Sequence, residues 1–124
     1  MPKYAHLSDE LWERLPWLMA ERECAELLEL YSGTSPEPHV VFGDVLVPVL
    51  ARLLLGNDTD KRLHEAFAYI EELATSNDPR VSEVAVVSVI EGLQASESVR
   101  KKAREMMGPV SRDFADKIEQ SRRR

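Results

Sequence analysis

The sequence is most informative first in what it has little of. A single cysteine excludes an internal disulfide framework and a cysteine-built zinc cage. Five glycines and seven prolines are too few for an all-β chain with many tight turns. The glycines (Gly33, Gly43, Gly56, Gly92 and Gly108) stand far apart, so none forms a phosphate-cradling loop. No serine sits in a Gly-x-Ser-x-Gly elbow. No run reaches the ~18 uninterrupted apolar residues of a membrane span. The opening MPKYAHLSDELWERL has no apolar leader core. These absences predict a small soluble protein of a reducing, cytoplasmic compartment, with no membrane partner.

What is present is enough to fold. Hydrophobic residues make up 44% and charged ones 31% of 124 residues, the size of one domain. We therefore expect residues 1–124 to form a single all-helical domain. The net charge of −6 is unevenly placed. Residues 1–97 hold 18 acids and 7 bases, whereas residues 98–124 hold 4 acids and 9 bases. The acidic body repels phosphate and disfavours nucleic acid, leaving weak contact through the basic C-terminus as the one route to it. The simpler reading of those terminal cations is that they offset helix dipoles.

The punctuation predicts an all-α fold, a compact bundle of five to seven helices. Ser8 reads as an N-cap before Leu11, and Pro16 restarts the chain near Trp17. Ala20, Cys24, Leu27, Leu28 and Tyr31 then form an apolar stripe, with Gly33 as its stop and residues 34–39 as a loop. Residues 40–55, VVFGDVLVPVLARLLL, are too long for an ordinary strand and too short for a bilayer, and read as a buried helix. Gly43 and Pro48 predict a kink in it, or a start near Asp44. Leu63, Phe67, Ile70, Leu73 and Ala74 follow at helical spacing. Asp78-Pro79 is an N-cap with proline at the first helical position. The valine-rich VAVVSVIEGL after it is compatible with a strand, but the cap and the lack of a pairing strand favour a central helix. Ser96 caps a further helix with Val99, Ala103, Met106 and Met107 inward. Gly108-Pro109 begins a basic last helix over 109–124, with SRRR fraying.

Residues 60–94, two helical arms around the SNDPRV turn, resemble a HEAT-like or armadillo-like hairpin, and HEAT-like stacking is expected of the bundle. The wider run from VFGDVLVPVL to VSVIEGL is similar to a group of small bacterial helical proteins, some of which serve as immunity proteins beside toxins. That resemblance implies a fold and a binding role, and it transfers no site residue.

Tests for chemistry fail one by one. His64-Glu65 opens like a zinc-protease motif, but Ala68 stands where the second histidine would be. His6, His39 and His64 have no metal-type spacing. Cys24 lies among glutamates on an apolar stripe, where burial and negative charge suppress the thiolate. Glu71 and Glu72 point about 100° apart on a helix and cannot share a proton. Asp44, among valines, reads either as a general acid or base in an apolar pocket or as a structural N-cap or partner of Arg52 or Arg80. Glu91 has the same two readings. Trp12 and Trp17 are either core residues or an interface anchor.

We therefore expect no enzyme, no catalytic residue, no cofactor and no bound metal. The expected function is a non-catalytic module that binds another, basic, protein, of the immunity type in one version. Its partner face would be the acidic ridge Glu21, Glu23, Glu26 and Glu29. The alternative is an oligomeric accessory subunit, with the Val110, Phe114 and Ile118 stripe pairing copies as a homo-oligomer.

Overall fold

The computed structural model describes residues 4–31, 36–56 and 60–122. They form seven helices and, among the described residues, no strand. A 3₁₀ turn, Tyr4–His6, leads into α1 (Leu7–Arg14). A second 3₁₀ segment, Pro16–Ala20, precedes α2 (Arg22–Leu30). Next come α3 (Pro38–Gly56), α4 (Lys61–Ala74) and α5 (residues 79–90). A short 3₁₀ turn, Gly92–Gln94, joins α5 to α6 (Glu97–Met106), and α7 (Pro109–Arg122) closes the chain.

Helix α3 is the spine, packed by α1, α2, α4, α5 and α6. Val41, Phe42, Val45, Leu46, Val49, Leu50 and Leu54 on it are completely buried. Its 19 residues and mean hydropathy of 1.7 have the length and composition of a membrane span, but these side chains form the core of the fold. Asp44 and Arg52 face outward between them. The helix begins at Pro38, so Pro38 and His39 belong to it rather than to a loop. The expected stop at Gly33 lies outside the described residues.

The predicted kink takes a specific form. Pro48 has no N–H, and a proline ring crowds the carbonyl four residues earlier, here that of Asp44. The turn Phe42–Leu46 widens to π geometry instead of breaking, and the Val47 amide bonds back five residues to the Phe42 carbonyl. In α5 the valine-rich run is helical, as favoured, but Val84–Ile90 is likewise π-wound, with the Glu91 amide on the Val86 carbonyl at 2.9 Å. The two widened segments pack against each other. Gly92 fits the end of α5 against α3, since a Cβ there would lie 3.3 Å from both Val47 methyls.

Caps explain where helices start. Asp60 caps α4, accepting the Arg62 amide at 2.9 Å, and Asp78 caps α5, accepting the Arg80 amide at 2.9 Å, with Pro79 first in the helix. Ser96 holds the N-cap position of α6 without a side-chain bond. Ser8 is not a cap: α1 starts at Leu7, with His6 before it. Helix α7 starts at Gly108, which accepts the Arg112 amide but has no side chain to cap with. Its cap comes from another helix. Glu71 of α4 accepts the amides of Val110 (2.9 Å) and Ser111 (2.8 Å) and the Ser111 hydroxyl (2.8 Å). Burial opposes ionisation of this carboxyl. The Ser111 and Val110 donors outweigh it and hold Glu71 below the usual carboxylate range. Gly108 makes the approach possible, since a Cβ on it would lie 2.5 Å from the Glu71 carboxyl carbon.

Helix α7 also covers its own apolar stripe. Val110, Phe114 and Ile118 pack on the core, so they do not form the exposed pairing face considered above. At its C-terminal turn Arg122 Nη1 donates to the Gln94 carbonyl at 3.1 Å, and the last two residues of the SRRR expected to fray lie outside the described residues.

Candidate functional site

The acidic ridge predicted from α2 divides in two. Glu21 and Glu23 are tied down: Arg52 of α3 bonds Glu21 at 2.7 Å and Glu23 at 3.2 Å, and Arg62 of α4 bonds Glu21 at 3.0 Å. Burial opposes the Glu23 charge, and its backbone and Arg52 bonds still hold the carboxyl below the usual range. Glu26 and Glu29 are exposed and have no ion-pair partner among the described residues. The cations that take half of the ridge out of play come from distant parts of the chain, which α2 alone does not reveal.

The free half borders a groove. Cys24 and Leu27 turn inward, anchoring α2 against α3. That orientation leaves the Glu23, Glu26 and Leu30 flank of α2 facing an α3 row of Asp44 and Pro48, four residues apart. Arg52 is next on the α3 row and closes one end through Glu21 and Glu23. The groove encloses about 310 Å3, with Leu27 and Pro48 in its wall. Leu30 is 81% exposed, the most exposed large hydrophobic side chain in the described chain.

Asp44 itself is exposed, and its charge has no partner. It is neither the buried catalytic group nor the structural ion pair considered from sequence, because Asp44 lies with Pro48 and Arg52 on the helix face opposite the buried valines and leucines. Arg52 and Arg80 bond Glu21, Glu23 and Asp78 instead. Glu91 is exposed as well, just past the last buried residue of α5.

The remaining candidates resolve into structure. Cys24 is 1% exposed, and burial raises its thiol pKa. Trp12 and Trp17 are both half-buried against the core. Trp17 Nε1 donates to Glu65 at 3.3 Å, and Arg62 lies over its ring at 5.6 Å. His6 and His64 are exposed. His39 Nδ1 lies 2.6 Å from Ser88 Oγ, a link between α3 and α5 that nothing in the local sequence flagged. No carboxylate among the described residues hydrogen-bonds its other nitrogen, so the relay of a serine hydrolase is not assembled there. Among the described residues no group of three or more His, Cys, Asp or Glu side chains converges as a metal site.

The basic C-terminal region is largely engaged. Arg104 pairs with Asp116 at 2.9 Å, and Lys117 with Asp113 at 3.1 Å. Lys102 donates to the Leu54 carbonyl, Arg112 to those of Arg104 and Met107, and Arg122 to that of Gln94. Several of these carbonyls lie at helix C-terminal ends, where cations are favoured.

A family profile matches residues 8–123, nearly the whole described fold. The chain belongs to the family of a domain of unknown function, DUF7674. No curated protein and no solved structure matches it. Membership in DUF7674 thus accompanies an all-helical bundle and assigns no chemistry to it.

Proposed function

We propose that this DUF7674 protein is a non-catalytic binding module whose α2–α3 groove receives a basic protein. The observation that carries this reading is the pairing of an 81%-exposed Leu30 with the unpaired carboxylates of Glu26 and Asp44 along one groove. Apolar contact would supply affinity, and the acidic rim would steer a cationic surface toward it. The excess of 18 acids over 7 bases in residues 1–97 extends that field over the body.

The similarity of the run from VFGDVLVPVL to VSVIEGL to small bacterial helical proteins, some of which are immunity proteins, gives the partner a class. It would be a basic toxin in the cytoplasm, a nuclease in one version, neutralised by occlusion. The alternative of an oligomeric accessory subunit loses its motivating patch, because Val110, Phe114 and Ile118 are packed on the core.

The test is calorimetric titration against the basic product of a toxin gene encoded beside this one. A double reversal, Glu26→Lys with Asp44→Lys, is expected to slow association about tenfold and to flatten its salt dependence. Both positions are exposed, so the fold should be unaffected. Absence of binding to such a product removes the immunity version. Binding that ignores the double reversal removes the groove.

A further inference from the structure

A second concavity lies on the opposite side of α2 from the groove. Side chains of α1, Leu28 of α2 and the start of α3 enclose a cleft of about 240 Å3, with Asp9, Trp12, Leu28, Pro36, Pro38 and Val41 in its lining. It is more enclosed than the α2–α3 groove. Its lining is layered. Val41 is completely buried, Trp12 and the rings of Pro36 and Pro38 are half-buried, and Leu28 stands 44% exposed at the side. Asp9 is the one ionisable group among the described lining residues; it is exposed, and no described cation pairs with it.

We propose that this cleft binds a protonated amine carried on a compact apolar group, with the apolar part inside and the ammonium at the mouth beside Asp9. The size selects a group of side-chain dimensions, because sites for drug-sized ligands run to about 300–1,000 Å3. The sign of the charge follows from Asp9 and from the acidic body around it, which disfavour an anion. The Trp12 ring adds attraction for a nearby cation. The order of the layers is the specific part. The only acid among the described lining residues is at the exposed mouth, so a lysine entering head-first would find at most the unpartnered Ser8 hydroxyl and no carboxylate for its charge. A ligand with the amine next to its apolar group fits instead. An arylalkylamine and the first residue of a peptide with a free amino terminus share that chemistry.

Titration of the full chain with phenethylamine and with phenethyl alcohol tests the proposal directly. The amine should saturate at roughly millimolar concentration, with the alcohol about three- to fivefold weaker, the range of an exposed ion pair. Asp9→Asn should bring the amine down to the level of the alcohol. Leu28→Lys, at an exposed position, should abolish amine binding while leaving the melting temperature unchanged. A short peptide beginning with Phe, with its amino terminus free or acetylated, separates the two sources. If the free peptide binds more tightly than phenethylamine and acetylation removes the gain, the ligand is a chain terminus; if it binds no better, the ligand is a small amine. Equal affinity for amine and alcohol overturns the proposal. So does a failure of both to saturate, or binding that survives Leu28→Lys.

Discussion

Gly108→Ala is a substitution whose sign separates two physical accounts. Gly108 has no backbone angle in the left-handed region, so by chain entropy alone alanine should stabilise the protein by about 0.4–1 kcal/mol. The geometry of the α7 cap predicts the opposite. The added methyl would stand 2.5 Å from the Glu71 carboxyl carbon, 2.7 Å from its Cγ and 2.8 Å from its Oε1. Glu71 must then withdraw, and the Val110 and Ser111 donors lose their acceptor. Loss of a helix cap costs about 0.5–2 kcal/mol, and bonds to a charged group run higher. Water recovers part of this, because Glu71 is only half-buried. The net expectation is a destabilisation of about 2 kcal/mol, or roughly 6–10 °C in melting temperature for a chain of this size. Urea and thermal unfolding followed by far-ultraviolet circular dichroism would measure it. A double-mutant cycle identifies the cause: in a Glu71→Ala background, Gly108→Ala should cost nothing further. A neutral or stabilising Gly108→Ala, or additive costs in the cycle, would refute the cap.

The same carboxyl predicts a pH response. Its folded pKa is lowered, so its stabilisation is complete above the unfolded value of about 4.3 and is lost as pH falls through the folded value. The stability gap between wild type and Glu71→Gln should therefore shrink steadily below about pH 4, and a constant gap would contradict the assignment. Ser88→Ala removes the bond to His39 between α5 and the first turn of α3 and should cost about 1 kcal/mol in urea unfolding. Cys24, at 1% exposed, should react with a disulfide reagent only as fast as the protein opens, so that urea accelerates labelling in step with unfolding. Arg52→Ala should change stability by under about 1 kcal/mol while freeing Glu23, with Glu21 still held by Arg62, and so quicken association with a basic partner at low salt.

How much of this was legible in sequence depended on whether the cause was local. Asp78-Pro79 announced its helix because a cap and its donor lie two residues apart. The spacing of Leu63, Phe67, Ile70, Leu73 and Ala74 gave the buried face of α4 because helical period and burial are the same geometry. The π turns were not legible as such, since a proline says only that regular winding fails. Asp44 was misjudged on its immediate apolar neighbours: the helical period of the run already puts it with Pro48 and Arg52 on the outer face. The ridge on α2 was read correctly as acidic, but its pairing with Arg52 and Arg62 depends on residues 29 to 41 positions away. Glu71 went unrecognised as a cap, although a signal existed. A glycine and a proline opening α7 leave amides that no local side chain serves, so an acceptor had to come from elsewhere.

The bond from α4 to α7 also has a bearing on biosynthesis. Glu71 leaves the ribosome before either amide that it will hold, because Val110 and Ser111 follow by 39 and 40 residues. The nascent chain can wind its earlier helices in order, yet a carboxylate on the fourth stays without its donors until the seventh has emerged. Closure of this domain thus waits for α7 to be made, and a chain released before Pro109 leaves the Glu71 carboxylate without its donors.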